Sequence, residues 1–265
     1  MFLILLSLYV VLCAVGCALQ RRLIYFPAKF DSKLAETMAV RAGFTPWKNP
    51  SGQIIGWKSS ADSPATASVL IVHGNGGCAI DRGYFSKPIH AAVSVDVYVL
   101  EYPGYGARKG SPGQTAFYAA ADEAFDLLDK TLPVYIVSES LGTGVAAHLA
   151  KTHRNVSGMV MFAPYDNFCA LAQSKMPILP VRLILLDRFD PAGDLENYHG
   201  AIQFILAEKD VVIPRRFGQR LAESFQGKKR VEIISGAGHN EVQAQSPEWW
   251  KETFSFLAQK EIPQQ

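Results

Sequence analysis

The sequence predicts an α/β protein with a mostly parallel, twisted sheet, helices on both faces and a small cap, and three observations carry that prediction. Short β-branched runs at residues 69–72, 95–101 and 134–137 recur along the chain. Stretches rich in Ala and Leu with a helical pattern alternate with the runs from residue 113 onward. The turns that end several runs are rich in Gly, Ser, Asp and His. Parallel neighbours need crossover connections, which helices supply, so the alternation favours a sheet with helices on both sides. Loops at the carboxyl edge of such a sheet reach a shared crevice, where a site assembles.

Taken in order, the chain begins with 19 residues that carry no charged side chain. As a helix rising about 1.5 Å per residue, this stretch nearly crosses a hydrocarbon core of about 30 Å. Residues 1–20 therefore read as an N-terminal membrane anchor or signal segment, and residues 21–265 as the catalytic domain. A retained anchor is the preferred reading. A cleaved secretory signal lacks its basic n-region, and a lipoprotein signal ending at Cys17 lacks the Leu usual three residues earlier, where Ala14 stands. Arg21 and Arg22 follow the segment and by the positive-inside rule would keep the domain in the cytoplasm. Large domains are exported regardless of local charge, so export stays open.

After Tyr25-Phe26-Pro27 a polar stretch with a Thr45-Pro46 break leads to an early strand at 53–58. Helical patterns follow at 113–131, 141–152, 215–225 and 247–259, and strand patterns at 156–162, 202–206 and 231–234. No repeat, low-complexity tract or second-domain boundary interrupts them. A chain of 265 residues suits one domain with a short appendage. A net charge of +2 without a basic cluster excludes a nucleic-acid footprint. Cys13, Cys17, Cys78 and Cys169 form no CxxC pair and read as buried free thiols, with the disulfide state of Cys78 and Cys169 unread.

Four strings carry the chemistry. Ile136-Val137-Ser138-Glu139-Ser140-Leu141-Gly142 puts a serine between an apolar strand and an Ala-rich helix, the setting of a nucleophile elbow. Positions two before and two after the nucleophile must be small, which Gly142 satisfies and Ser138 satisfies only in part. Ser138 is the rival nucleophile but sits nearer the strand than the turn apex; the plainer reading makes Ser140 a helix cap. His73-Gly74-Asn75-Gly76-Gly77 follows a strand where an oxyanion loop would lie, with the N–H groups of Asn75 and Leu141 as donors. A phosphate loop is the alternative, but neither GKS/GKT nor GxGxxG is present.

Asp210 follows the strand at 202–206 and is placed to orient a histidine, whereas Asp187, Asp190 and Asp194 precede that strand. A solvated turn acid is its plain alternative. His239 lies in the glycine-rich Ser235-Gly236-Ala237-Gly238-His239-Asn240 loop before the last helix. His73 belongs to the oxyanion turn, His148 and His153 fall on the helix after the elbow, and His90 and His199 lack such a loop. The order Ser140, Asp210, His239 is that of the α/β-hydrolase triad.

The strings HGNGG, EYPGYG, SESLG, AEKDVVIP and GAGHNE, behind an apolar leader and YFP, resemble the membrane-anchored α/β-hydrolase proteins of the Bem46-like group and its depalmitoylating relatives. The likeness runs from Arg21 to the last helix. It implies the α/β-hydrolase fold, a triad of Ser140, Asp210 and His239, and an oxyanion hole at Asn75 and Leu141. It also implies a structural loop at Tyr102-Pro103-Gly104-Tyr105-Gly106. The departure is Ser138, where the family's elbow has glycine.

The expected activity is that of a serine hydrolase of the esterase or thioesterase kind, working through an acyl-enzyme on Ser140 with no metal or organic cofactor. The expected partners are a small-molecule or lipid-like acyl substrate and the membrane; oligomeric state is unread. The apolar residues at 176–181 and 183–186 would line an acyl channel, touch the membrane or simply cover the sheet. A serine peptidase or an acyltransferase would use the same triad, and a non-catalytic membrane-tethered scaffold fits least well because all three residues are present.

Overall fold

The computed structural model describes residues 1–259; residues 260–265, the end of the expected catalytic domain, lie outside the described residues. The chain starts with helix α1 (Phe2–Ile24), followed by the two-residue strand β1 (Phe26–Pro27), helix α2 (Ser32–Ala42) and strands β2 (Thr45–Lys48), β3 (Ile54–Ser59) and β4 (Ser68–Val72). Then come β5 (Gly76–Gly77), a 3-10 turn (Ala79–Arg82), α3 (Gly83–Ala92), β6 (Asp96–Leu100), α4 (Gln114–Asp126), β7 (Val134–Glu139), α5 (Gly142–Thr152) and β8 (Val156–Phe162). Short helices α6 (Phe168–Lys175), α7 (Val181–Ile184) and α8 (Pro191–Asp194) form the small cap, and β9 (Ala201–Ala207), α9 (Arg216–Ser224), β10 (Lys229–Ile234) and α10 (Pro247–Ala258) complete the fold.

Eight strands form one sheet in the order β10-β9-β8-β7-β4-β6-β3-β2. Neighbours from β6 to β10 pair in parallel, whereas β3 is antiparallel to both β6 and β2. The order reverses at β4, which leaves a crevice at its carboxyl end. Alternation along the strands feeds a core on each face. Leu70 and Val72 point to the side packed by α4, α5 and α9, while Val69 and Ile71 point to the side of α2, α3 and α10. The α/β-hydrolase fold expected from the sequence is the fold observed.

The polar stretch after Pro27 hides α2. Asp31 caps it by accepting from the Leu34 N–H at 2.9 Å, and Gly43 ends it in a left-handed conformation at φ 85°. The Thr45-Pro46 break lies within edge strand β2, where a proline's missing N–H costs no ladder bond. Helix α1 continues past residue 20 to Ile24, so Arg21 and Arg22 lie in its last turn. Of the cysteines expected to be buried, only Cys78 is; Cys13, Cys17 and Cys169 are part-exposed, and all four are free. Burial, with Glu101 and Asp81 nearby, pushes the Cys78 thiol up to about 12.

Phe85 of α3 is fully buried, 5.1 Å from the Phe162 ring and 6.1 Å from that of Trp250. It ties α3 and α10 to the sheet. Phe85→Ala is expected to destabilise the fold by about 3–5 kcal/mol, read as a lowered midpoint in denaturant unfolding.

Candidate active site

Strand β7 delivers Ser140 to the crevice. Ser140 has a left-handed φ of 51°, a strained conformation for a serine, and its N–H donates to the Phe162 carbonyl at 2.8 Å. Gly142 explains how the turn fits. A Cβ there would collide with the Val72 carbonyl oxygen and stand 2.6 Å from that of His73. Only glycine lets α5 start this close to β4. Ser138, the rival nucleophile, is fully buried in β7 and donates its hydroxyl to the Val160 carbonyl at 3.1 Å. It therefore points along the sheet and away from the crevice. The serine is accommodated two residues before the apex.

The Ser140 hydroxyl does not cap α5. It lies 3.0 Å from His239 Nε2, and His239 Nδ1 lies 2.7 Å from Asp210 Oδ2. The other Asp210 oxygen accepts the N–H groups of Val212 at 2.8 Å and Ile213 at 2.7 Å. The Asp210 side chain is only 1% exposed, so its end of the imidazole bond is shielded from water. The histidine loop is tied to the aspartate loop: Glu208 accepts from the Gly236 N–H at 2.7 Å and the Ser235 hydroxyl at 3.0 Å, which hold its carboxyl below the usual range.

The rival acids lie elsewhere. Asp187 pairs with Arg21, Asp190 accepts from Asn167 and Asp194 pairs with Lys151. The other histidines stay apart from Ser140 too. His148 and His153, the latter just past the end of α5, both meet Asp122, and His90 meets Ser59. His73 is buried under Tyr102, and His199 lines a separate cavity with Pro133 and Lys228.

Asn75 and Leu141 flank Ser140 on one cavity of about 200 Å³. Neither main-chain N–H has an acceptor among the described residues. The Leu141 N–H also sits at the amino end of α5, where the helix dipole favours negative charge. The cavity wall is apolar: Ile24, Tyr165, Phe168, Leu171, Met176 and Ile213 are among its residues, with Lys175 as its charged member. Of the cap residues expected to line a channel, touch the membrane or cover the sheet, Met176 lines the cavity. Val181 and Leu185 form a small cluster of their own, and Ile178, Leu183 and Leu186 are exposed.

Sequence reasoning missed the group that holds the loop and the elbow together. Glu139, next to Ser140 and buried, accepts from the Gly74 N–H at 3.0 Å, from Arg82 Nε at 2.8 Å and from the Tyr84 hydroxyl at 2.8 Å. Burial alone would raise its pKa, but the Arg82 guanidinium and these donors outweigh burial and hold it below the ordinary 4.5. Tyr105, expected to be structural, donates to Asn75 Oδ1 at 2.9 Å, and Tyr102 donates to the His73 carbonyl at 3.0 Å.

This geometry agrees with what the chain is similar to. A profile of the Alpha/beta hydrolase family matches residues 69–200, the span from β4 through the elbow and the cap. Over that span the chain is similar to the alpha/beta hydrolase family, whose fold it has. An uncharacterised Mycobacterium tuberculosis protein is 28% identical over 233 residues, covering 84% of this chain and 81% of that protein. The lysophosphatidylserine lipase ABHD12 of Macaca fascicularis is 25% identical over 196 residues, which is 66% of this chain but 49% of the lipase. Among solved structures, the ferulic acid-bound Est1E of Butyrivibrio proteoclasticus superposes with a TM-score of 0.63 at 13% identity, covering 76% of this chain and 94% of Est1E. The family match supports an enzyme of the hydrolase type.

The Glu139 carboxylate is depressed in the folded protein, so the stability it contributes is present above the unfolded value and lost as pH falls through the folded pKa. Glu139→Gln removes the buried charged partner of Arg82, leaving it only the half-exposed Asp81 carboxylate at 3.7 Å, and is expected to cost about 3–5 kcal/mol at neutral pH. The gap to wild type should shrink as the pH drops below 4.5, read by denaturant unfolding across a pH series.

Proposed function

We propose that the protein is a serine hydrolase that cleaves a carboxylester or thioester with an apolar acyl group through an acyl-enzyme on Ser140. The relay from Asp210 through His239 to the strained Ser140 hydroxyl carries this reading. In the first half-reaction His239 Nε2 takes the Ser140 proton as Oγ attacks the acyl carbonyl, and Asp210 holds the imidazole in the tautomer that can accept it. The oxygen that becomes negative is met by the N–H groups of Asn75 and Leu141, which no acceptor among the described residues occupies. His239 returns the proton to the leaving oxygen or sulfur, and then activates the water that attacks the acyl-enzyme. No step calls on a metal or an organic cofactor.

The apolar cavity argues for the acyl group. At about 200 Å³ it is smaller than the roughly 300–1,000 Å³ of sites for drug-sized ligands, which suits a short to medium chain or one that projects from the mouth. The name of the lysophosphatidylserine lipase relative agrees with an apolar acyl substrate. We also read α1 as a membrane anchor: an 18-residue window of its 23 residues has a mean hydropathy of 2.7, and at about 1.5 Å per residue the helix spans a bilayer core.

A fluorophosphonate probe is expected to label wild-type protein and not Ser140→Ala; equal labelling of both sinks the nucleophile assignment. Across acyl esters and thioesters of graded length, turnover should favour short to medium apolar chains, whereas cleavage confined to peptides overturns the esterase reading. For α1, the full-length protein should stay in the membrane fraction after alkaline carbonate washing.

A further inference from the structure

The residues that join α1 to the hydrolase domain contact the site itself. Ile24, the last residue of α1, lines the same cavity as Ser140. Its carbonyl accepts a hydrogen bond from Asn75 Nδ2, and two residues on, the Phe26 N–H donates to Asn75 Oδ1 at 3.3 Å. The main chain on either side of Tyr25 thus takes both ends of the Asn75 amide. Tyr105 completes the set from the opposite side, at 2.9 Å on Oδ1.

Tyr25 and its neighbours are in turn locked to the cap through one buried carboxylate. Asp187, 2% exposed, accepts from the Tyr25 hydroxyl at 2.9 Å, from Arg21 Nε and an Arg21 terminal nitrogen at 3.1 Å each, and from the Gln114 N–H at 3.1 Å. Gln20 adds a second tie, accepting from the Leu186 N–H at 2.7 Å and donating to the Ile184 carbonyl at 3.0 Å. A fork-shaped guanidinium on a carboxylate fixes direction as well as distance. Helix α1 has no other buried residue than Gln20, so residues 20–26 are where the apolar helix becomes part of the domain.

We propose that residues 21–26 are a positioning element for the oxyanion loop: they grip the Asn75 side chain so that its main-chain N–H stays aimed at the cavity, and Asp187 locks the grip. This rests on the reading of Ser140 as nucleophile. The helix does more than tether the enzyme, because its end sets the geometry of one transition-state donor. A donor of this kind acts on charge that develops in the transition state, so loosening it lowers kcat and spares KM for a substrate too short to touch Ile24.

The test uses the full chain in detergent micelles with a short-chain ester, kcat being taken per site titrated by the fluorophosphonate probe and each variant's unfolding midpoint being measured alongside. Asp187→Ala and Asn75→Ala are each expected to lower kcat by about tenfold or more, within the roughly 100- to 1,000-fold that a whole donor is worth, with KM nearly unchanged. Asp187→Asn, whose single amide oxygen can still accept from Tyr25 or from Gln114, should recover part of the loss. Should Asp187→Ala fail to fold, the milder Tyr25→Phe and Arg21→Lys are expected to show the same kcat-only loss at several-fold size. Wild-type kcat in these variants, or a change confined to KM, overturns the proposal while leaving Ser140 labelling intact. Equal labelling of Ser140→Ala overturns the nucleophile reading and this proposal with it.

Discussion

The site depends on one close approach, that of the first turn of α5 to the carboxyl end of β4. At Gly142 the gap to the Val72 and His73 carbonyls admits a hydrogen and nothing larger. With the helix seated there, the chain leaving β7 must turn within one residue, and Ser140 takes up the left-handed conformation that the turn demands. That conformation costs a non-glycine residue about 1–2 kcal/mol. Local bonds offset it: the Ser140 N–H reaches Phe162, and the Ser140 carbonyl accepts the N–H of Thr143 at 3.0 Å and its hydroxyl at 2.7 Å. The same turn that lifts Oγ into the crevice leaves the Leu141 N–H without an acceptor among the described residues, so the proposed nucleophile and one proposed oxyanion donor come from one piece of geometry.

The second proposed donor, the Asn75 N–H, is brought from another loop, and Glu139 ties that loop to the elbow. A buried ion pair is weak support for stability, since desolvation consumes most of what the attraction returns. Its use here is in direction. Glu139 immediately precedes Ser140, and by accepting from the Gly74 N–H, Arg82 and Tyr84 it sets the distance between the elbow and the loop that carries Asn75. Arg82 extends the tie by donating to the carbonyls of Gly76 at 2.8 Å and Cys78 at 3.0 Å. The loop that carries Asn75 is therefore held at its start by Glu139, at its end by Arg82 and at Asn75 by the main chain flanking Tyr25.

What the sequence made legible follows the range of the interactions. The parallel strands could be read because β-branched runs end in turn residues, and Ser140, Asp210 and His239 because each sits on a loop whose residue types announce it. The structure places the three within hydrogen-bonding reach. Helix α2 was obscured because its polar face dominates the composition, although the Asp31 cap and Gly43 mark both ends. Glu139 and Arg82 are 57 positions apart, and Tyr25 and Asp187 are 162 apart. Pairings of that span leave no period or spacing to find. Asp187 shows the cost: from sequence it competes with Asp210 for the histidine, and only its three-dimensional neighbours assign it to Arg21 and Tyr25.

The chemistry and the cavity draw on different parts of the chain. The proposed relay and donors come from loops at the carboxyl ends of the sheet's strands. The walls come from Phe168, Leu171 and Met176 of the cap region and from Ile24 of α1, which no strand constrains. Packed apolar walls tolerate change of volume more readily than a hydrogen-bond relay tolerates change of distance. Substrate range can therefore shift through the cap while the relay stays as it is. Ile24 is the exception, because its side chain lines the cavity and its carbonyl holds Asn75. Under the proposed function, a change of main-chain position at that residue alters the shape of the acyl site and the aim of an oxyanion donor together, which ties the freedom of the end of α1 to vary to the chemistry.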